Sequence, residues 1–249
     1  MPRGIDGDHG MTAGQLNRAI AGLLVIVVVA GGASVVLPQI AVGAVGGSVD
    51  LDALRDIEGN KVLYLVGYAL DALTNIALVL LAALLHTMFR GRSYLLATMV
   101  FAAVLATGAV LMVVTIVGFS GHALASSLPS ELPADSERLM EALAEWLAAL
   151  ATFGTAIAYT FGAIALIALG RLILSSPMSG AASVAGSTVP RPVGLLAILA
   201  GVVILSVWLT VINDLLLPLT MVGVALTLLT GLVLAGWFLM SAIESAPVE

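Results

Sequence analysis

The chain has 249 residues, of which 61% are hydrophobic and 10% are charged, with a formal net charge of −6. A soluble domain carries about 25% charged residues, so this composition excludes a soluble globular fold. Cysteine is absent, which excludes disulfides, thiolate metal sites and cysteine nucleophiles. Because the apolar runs are continuous and do not alternate, the sequence predicts an all-α fold, a polytopic transmembrane bundle of about six helices over residues 17–241.

The first predicted helix spans about residues 17–37 and follows a polar tail over residues 1–16. We expect it to end near Pro38, since proline cannot continue a helix. A cleaved signal peptide is the alternative, because the small residues at 31–34 follow the apolar core as they would before a cleavage site. Retention is favoured, because the apolar stretch resumes beyond a typical signal core and cleavage would leave an odd number of helices.

The next two helices are predicted at about residues 61–89 and 93–119. An acidic loop over about residues 39–60 precedes them and is expected outside the cell. The turn Arg90-Gly91-Arg92 between them is the clearest cytoplasmic signal in the chain. A second polar loop then leads into helix four, predicted at about residues 137–170 with acidic first turns that its dipole favours.

A flexible connector rich in Ser, Gly, Ala and Pro is predicted over residues 172–192. Helix five follows at about residues 193–212 and helix six at about 215–241, before a tail over 242–249. The short turn Asn213-Asp214 makes these two helices an antiparallel hairpin. Without that turn, the apolar run would be far longer than the roughly 20 residues that cross a bilayer.

The basic residues divide unequally between the two predicted membrane faces. Six lie on one face and three on the other: Arg3, Arg18, Arg90, Arg92, Arg171 and Arg191 against Arg55, Lys61 and Arg138. The positive-inside rule therefore predicts both termini in the cytoplasm and a multi-pass protein of the cell (plasma) membrane.

Asp71 lies about ten residues inside helix two, or about 15 Å along its axis at 1.5 Å per residue. An ionised carboxylate there costs at least about 2.5 kcal/mol, so it should face the bundle interior or water and have a partner. Helical spacing joins it to a polar stripe of Tyr64, Tyr68, Asn75, Ala82 and His86. The stripe is either a binding or proton path, or a structural network in which Asp71 bonds to Asn75 or to hydroxyl groups. Further candidate partners are Thr152, Thr155 and Tyr159, if helices two and four touch.

Small residues recur at packing spacing in helices four and six. They are Gly154, Ala158 and Gly162 in the former, and Gly223, Thr227, Gly231 and Ala235 in the latter. Such positions let two helix backbones approach closely, which is their ordinary use in membranes. A substrate passage is the alternative interpretation.

No metal or cofactor site is predicted. His86 and His122 are expected on opposite membrane faces, roughly 30 Å apart, and His9 belongs to the polar tail. Residues 118–121 (Gly-Phe-Ser-Gly) resemble the Gly-x-Ser-Gly nucleophile motif of rhomboid intramembrane proteases. That chemistry needs a histidine on another helix within reach of Ser120. Because helices four to six contain no histidine, no catalytic residue is predicted.

Residues 189–201 read Val-Pro-Arg-Pro-Val-Gly-Leu-Leu-Ala-Ile-Leu-Ala-Gly. This segment resembles the Pro-Arg-x-Leu-Gly-x-Leu-x-Ile-x-Ala-Gly start of the penultimate helix in a bacterial six-helix membrane family described only as a domain of unknown function. Residues 17–23 and 86–90 are similar to that family in order and spacing. The resemblance implies a six-helix topology and no particular activity.

Three functional hypotheses follow. A non-enzymatic membrane module, acting as a sensor, accessory or assembly partner, is favoured because no catalytic constellation is found. A small-solute or proton-coupled transporter or channel built on Asp71 is the alternative, as a homo-oligomer if six helices are too few to enclose a path. An intramembrane enzyme is the third. The predicted partner is the lipid bilayer, with a homo-oligomer as a further option, and the sequence identifies no small-molecule ligand. Nucleic acid is not expected, since no Lys/Arg cluster exists.

Overall fold

The computed structural model describes residues 12–42, 51–127, 133–175, 189–213 and 217–244, and within these ranges the chain is all-α. Its helices are α1 (Ala13–Val42), α2 (Leu51–Gly59), α3 (Lys61–Phe89), α4 (Tyr94–Ser126), α5 (Ala134–Leu174), α6 (Arg191–Ile204), α7 (Val207–Ile212) and α8 (Leu217–Glu244). Six segments are long and apolar enough to cross a membrane: α1, α3, α4, α5, α6 with most of α7, and α8. The predicted transmembrane bundle is confirmed.

The six spans form a closed ring. In order around it, α1 packs on α3, α3 on α4, α4 on α5, α5 on α6, α6 on α8, and α8 returns to α1. One buried apolar cluster lies near the Arg90–Arg92 turn, which we call the arginine end; it includes Ile20, Phe89, Ile173 and Phe238. A second cluster lies at the opposite end, beside α2, which we call the α2 end.

Pro38 lies inside α1 and does not end it, so the predicted end of the first helix is wrong. A proline removes one backbone donor from its helix, but neighbouring helices make this tolerable in membranes. Here the ring of Pro38 packs on Gly67 of α3: a Cβ added at Gly67 would come within 2.6 Å of the Pro38 Cδ. The close approach of α3 therefore accommodates the proline, and α1 continues to Val42.

The predicted acidic loop over residues 39–60 contains the short helix α2, which the sequence reading missed. Leu54 and Ile57 are buried in the cluster at the α2 end, whereas Asp56 is exposed. The Asn60 side chain donates to the Ala41 carbonyl at 3.1 Å and so fastens the end of α2 to α1. This helix was not predicted because its acidic residues are typical of a polar loop and its apolar residues lie on one face only.

Several other helix bounds differ from the predictions. α4 continues to Ser126, and α5 covers Ala134–Leu174, so that residues 172–174 of the predicted connector are helical. The predicted fifth helix is interrupted at residues 205–206, where Ser206 and Trp208 bond three residues back, to Val203 and Leu205. α8 begins at Leu217 and runs to Glu244. Asp214 of the predicted turn, residues 1–11 of the tail and residues 176–188 of the connector lie outside the described residues.

Candidate functional site

A cavity of about 260 Å³ runs along the inside of the ring, and all six spans contribute to its wall. On α3 the lining positions recur every three or four residues: Asp71, Thr74, Leu78, Leu81, Leu85 and Phe89. Those positions span about 27 Å of helix at 1.5 Å per residue. Because this volume is spread over that length, the cavity is narrow and elongated.

The wall is mainly leucine, valine and other apolar side chains. Four threonines line it as well, Thr74, Thr107, Thr227 and Thr230, and each hydroxyl donates to a backbone carbonyl of its own helix at 2.7–2.9 Å. The hydroxyl protons of these threonines are therefore engaged within their own helices and are not available to a molecule in the cavity. Asp71, with Ser34 of α1 and Tyr159 of α5, remains as the polar group of the cavity, toward its α2 end.

The two carboxylate oxygens of Asp71 have different surroundings. Oδ2 accepts a hydrogen bond from the Thr115 hydroxyl and lies 3.4 Å from the Asn75 amide nitrogen. That amide also donates to the Thr115 oxygen at 3.3 Å. Among the residues that the structure describes, Oδ1 has one partner, the Ser34 hydroxyl at 3.5 Å, and that hydroxyl lies closer to the Gly31 carbonyl, at 2.9 Å. Oδ1 is thus the less satisfied oxygen.

The predicted polar stripe of α3 divides between two faces. The Tyr64 hydroxyl donates to the Gly118 carbonyl of α4 at 3.1 Å, and the Tyr68 ring lies 5.8 Å from the Phe119 ring. The Asn75 side chain also bonds to α4. At the arginine end, the His86 ring lies 5.5 Å from the Phe101 ring. Of the six stripe residues, Asp71 alone lines the cavity.

Ser34 and Thr115 are partners of Asp71 that the sequence analysis missed. Ser34 belongs to the run of small residues in α1, and Thr115 is an isolated hydroxyl inside an apolar helix. The expected partners on α5 differ: the hydroxyls of Thr152 and Thr155 donate to carbonyls of their own helix. The sequence signal that could have identified these partners is a small or hydroxyl-bearing residue near the middle of a predicted span.

One family model, described as a domain of unknown function (DUF4386), matches residues 20–242 of this sequence. The chain belongs to this family. The match runs from within α1 to within α8, and it confirms the resemblance that the sequence motifs indicated. Comparison with curated proteins found no match, and comparison with solved structures found none either.

The small residues of the DUF4386 chain lie against neighbouring helices. A Cβ added at Gly154 would come within 2.6 Å of Val114, one at Gly223 within 2.8 Å of the Ile204 backbone, and one at Gly231 within 2.7 Å of Val28. Ala158 is fully buried and its carbonyl accepts from Thr107 of α4 at 3.4 Å. Gly162 and Gly231 also line the cavity.

Close backbone packing in this DUF4386 protein is also found between α5 and α6, at glycines that the sequence analysis did not select. A Cβ added at Gly170 would meet the Gly194 carbonyl and come within 2.6 Å of Ile198 Cγ1. One added at Gly201 would come within 2.9 Å of the Ala163 carbonyl. These glycines set how closely the two helices approach.

The catalytic and metal candidates are not brought together. Ser120 is exposed and its hydroxyl donates to the Ile116 carbonyl of its own helix at 3.0 Å. His86 lies near the arginine end of α3 and His122 near the α2 end of α4, while His9 is outside the described residues. Among the residues that the structure describes, no three His, Asp or Glu side chains are grouped as a metal ion would require.

Proposed function

We propose that this protein is a non-enzymatic membrane module that binds one elongated apolar molecule inside its helix ring and serves as a sensor or accessory protein. The observation that carries the proposal is the cavity: a narrow space lined by all six spans, apolar along most of its length and polar near one end. One copy of the chain supplies side chains from all six spans to this space, so the proposal needs no oligomer. The proposed location is the plasma membrane.

The walls favour a slender chain as the occupant. In a bilayer a ligand leaves lipid and not water, so burial of apolar surface adds little, and close packing must supply the affinity. A narrow cavity meets a linear chain on all sides, which lipid does not do as closely. Because the threonine hydroxyls donate to carbonyls of their own helices, these side chains add little polarity to the cavity wall.

A non-enzymatic role is supported by the separation of the reactive side chains. Ser120 and His122 lie on one helix near the α2 end, and His86 lies near the arginine end. A nucleophile and its base must be within hydrogen-bond reach of each other. Asp71 has hydroxyl and amide partners and no second acid beside it among the residues described.

The test is a titration of the protein in nanodiscs with dodecanol, followed by native mass spectrometry. We expect saturable binding of one dodecanol. Leu78→Trp places a large ring in the cavity and should abolish binding. Leu80→Trp is the matched control, since Leu80 is on the same helix, 52% exposed on the lipid side, and should bind as the parent does. Equal binding by the two variants, or no saturable binding by the parent, would contradict the proposal.

Transport is a second candidate, favoured by the interruption between α6 and α7. Ile204, the last residue of α6, lines the cavity, and the adjacent Ser206 hydroxyl lies 3.3 Å from that of Thr220 on α8. Interrupted helices beside a central site are common in transporters. Proton flux into dye-loaded vesicles tests this candidate: transport through Asp71 predicts flux in the parent and none in Asp71→Asn.

A further inference from the structure

We propose that the molecule in the cavity carries a protonated amine, and that this ammonium group pairs with Oδ1 of Asp71 while the hydrocarbon tail extends toward the arginine end. This inference rests on the proposed function, because it names the chemical class of ligand that the same cavity takes. It begins from the unequal surroundings of the two carboxylate oxygens.

The neighbours of the two oxygens indicate that Oδ1, the oxygen with capacity to accept, lies toward the cavity. Oδ2 is held by Thr115 and Asn75, and neither of these residues lines the cavity. Oδ1 lies on the side of Ser34, which does line it. Since the Ser34 hydroxyl has one proton and lies closer to the Gly31 carbonyl, Oδ1 keeps lone pairs for another donor. Because Thr115 and Asn75 fix the position of Oδ2, the direction of Oδ1 is fixed as well.

The six described spans supply no positive charge at this depth. Within the six spans, every lysine or arginine lies within five residues of an end of its span: Arg18, Lys61, Arg138, Arg171 and Arg191. Charged groups inside membranes generally pair with one another, and an unpaired charge in a low-dielectric site is costly. A ligand that brings its own cation would provide the missing partner of Asp71.

An ammonium group fits the acceptors around that end of the cavity. It has three N–H donors and no acceptor. Oδ1 of Asp71 takes one of them, and the oxygens of Ser34 and Tyr159, which line the same cavity, can accept the other two. From Asp71 the wall continues through Leu78 and on to Phe89, about 27 Å along α3, with no further acid or base. That length of apolar wall suits an alkyl tail.

The experiment compares two probes with the same tail, dodecylamine and dodecanol, by native mass spectrometry of the full chain in nanodiscs of zwitterionic lipid. An alkylamine is protonated at pH 7, as lysine is. We expect dodecylamine to bind about tenfold more tightly than dodecanol, which corresponds to one charge-assisted hydrogen bond. Asp71→Asn should remove this preference and retain dodecanol binding, which shows that the variant is folded. Glu145→Gln removes an exposed carboxylate of α5 and should leave the preference unchanged.

Equal affinities of the parent for the two probes, or a preference that persists in Asp71→Asn, would overturn the amine inference. In both cases dodecanol binding that Leu78→Trp abolishes would leave the proposed function standing. If neither probe binds the parent saturably, the proposed function fails and the inference fails with it.

Discussion

The hydroxyl of Thr115 on α4 donates a hydrogen bond to the carboxylate of Asp71 on α3. The Asn75 amide lies within hydrogen-bond distance of both groups, so the three side chains connect two neighbouring spans. These three side chains lie at the same depth in the bundle as the polar end of the cavity. One small network therefore joins helix packing to the candidate binding site, and the two roles can be separated by substitution.

Thr115→Val should lower the free energy of unfolding by about 0.6 kcal/mol, the average measured for interhelical hydrogen bonds in a membrane protein, and by no more than about 1.7 kcal/mol, the largest value. Valine keeps the shape but removes the donor to Asp71 and the acceptor of the Asn75 amide, which is buried. Thr152→Val is the control, because that threonine is exposed and bonds only within its own helix. The measurement is reversible unfolding in mixed micelles. A loss of equal size in both variants would show that the network adds nothing.

Asp71→Leu should leave the thermal midpoint of the detergent-solubilised protein unchanged or raise it. An acid beside an apolar cavity is a destabilising group, and proteins tolerate such groups where function requires them. In the variant, Thr115 keeps its 2.9 Å contact with the Leu111 carbonyl and Asn75 keeps Thr115. Asp71→Asn should behave similarly. A fall of several degrees in both variants would mark Asp71 as a structural residue and argue against a binding role.

Gly170→Ala should destabilise the protein by about 1 to 3 kcal/mol, the usual result of overpacking. The added methyl group would meet the Gly194 carbonyl and Ile198, so α5 and α6 would have to move apart. Gly236→Ala is the matched control on α8, since a Cβ there meets no atom within 4 Å and alanine is the better helix former. Unfolding of the two variants under identical conditions decides the point; equal stability would mean that α5 and α6 can separate freely.

The orientation predicted from the arginines can be tested with single cysteines, because the chain contains none. Gly59, the last residue of α2, and Gly91, in the turn after α3, are exposed beyond opposite ends of α3, and a Cβ at either position meets no atom within 4 Å. A membrane-impermeant maleimide should label Gly59→Cys on intact cells and Gly91→Cys only after permeabilisation. The reverse pattern would place the arginine end outside.

Much of the fold could be predicted because each span is apolar over its own length. The errors arose where a neighbouring helix overrides a local rule. Pro38 would end an isolated helix, but packing on Gly67 lets α1 continue. Leu54 and Ile57 look like isolated apolar residues in an acidic loop until the ends of α1, α3, α4 and α5 give them a surface to cover.

The candidate site was predicted only in part. Asp71 was identifiable as a single acid inside an apolar span, and Asn75 as its neighbour one turn later. Ser34 and Thr115 come from α1 and α4, 37 and 44 residues away along the chain. A hydroxyl inside an apolar span marks each as a candidate, but the local sequence does not show that it faces Asp71. His86 shares the helical spacing of the stripe, but it contacts aromatic rings at the arginine end.

The sequence by itself determined that the protein spans a membrane six times and that one carboxylate lies inside, because membrane insertion depends on the composition of each segment alone. Only the tertiary structure decided which oxygen of Asp71 bonds to Thr115 of α4 and which lies beside Ser34 of α1. That choice depends on how each helix is rotated about its axis. Contacts between small residues, such as Gly67 with Pro38 and Gly170 with Gly194, set those rotations across helices far apart in the chain.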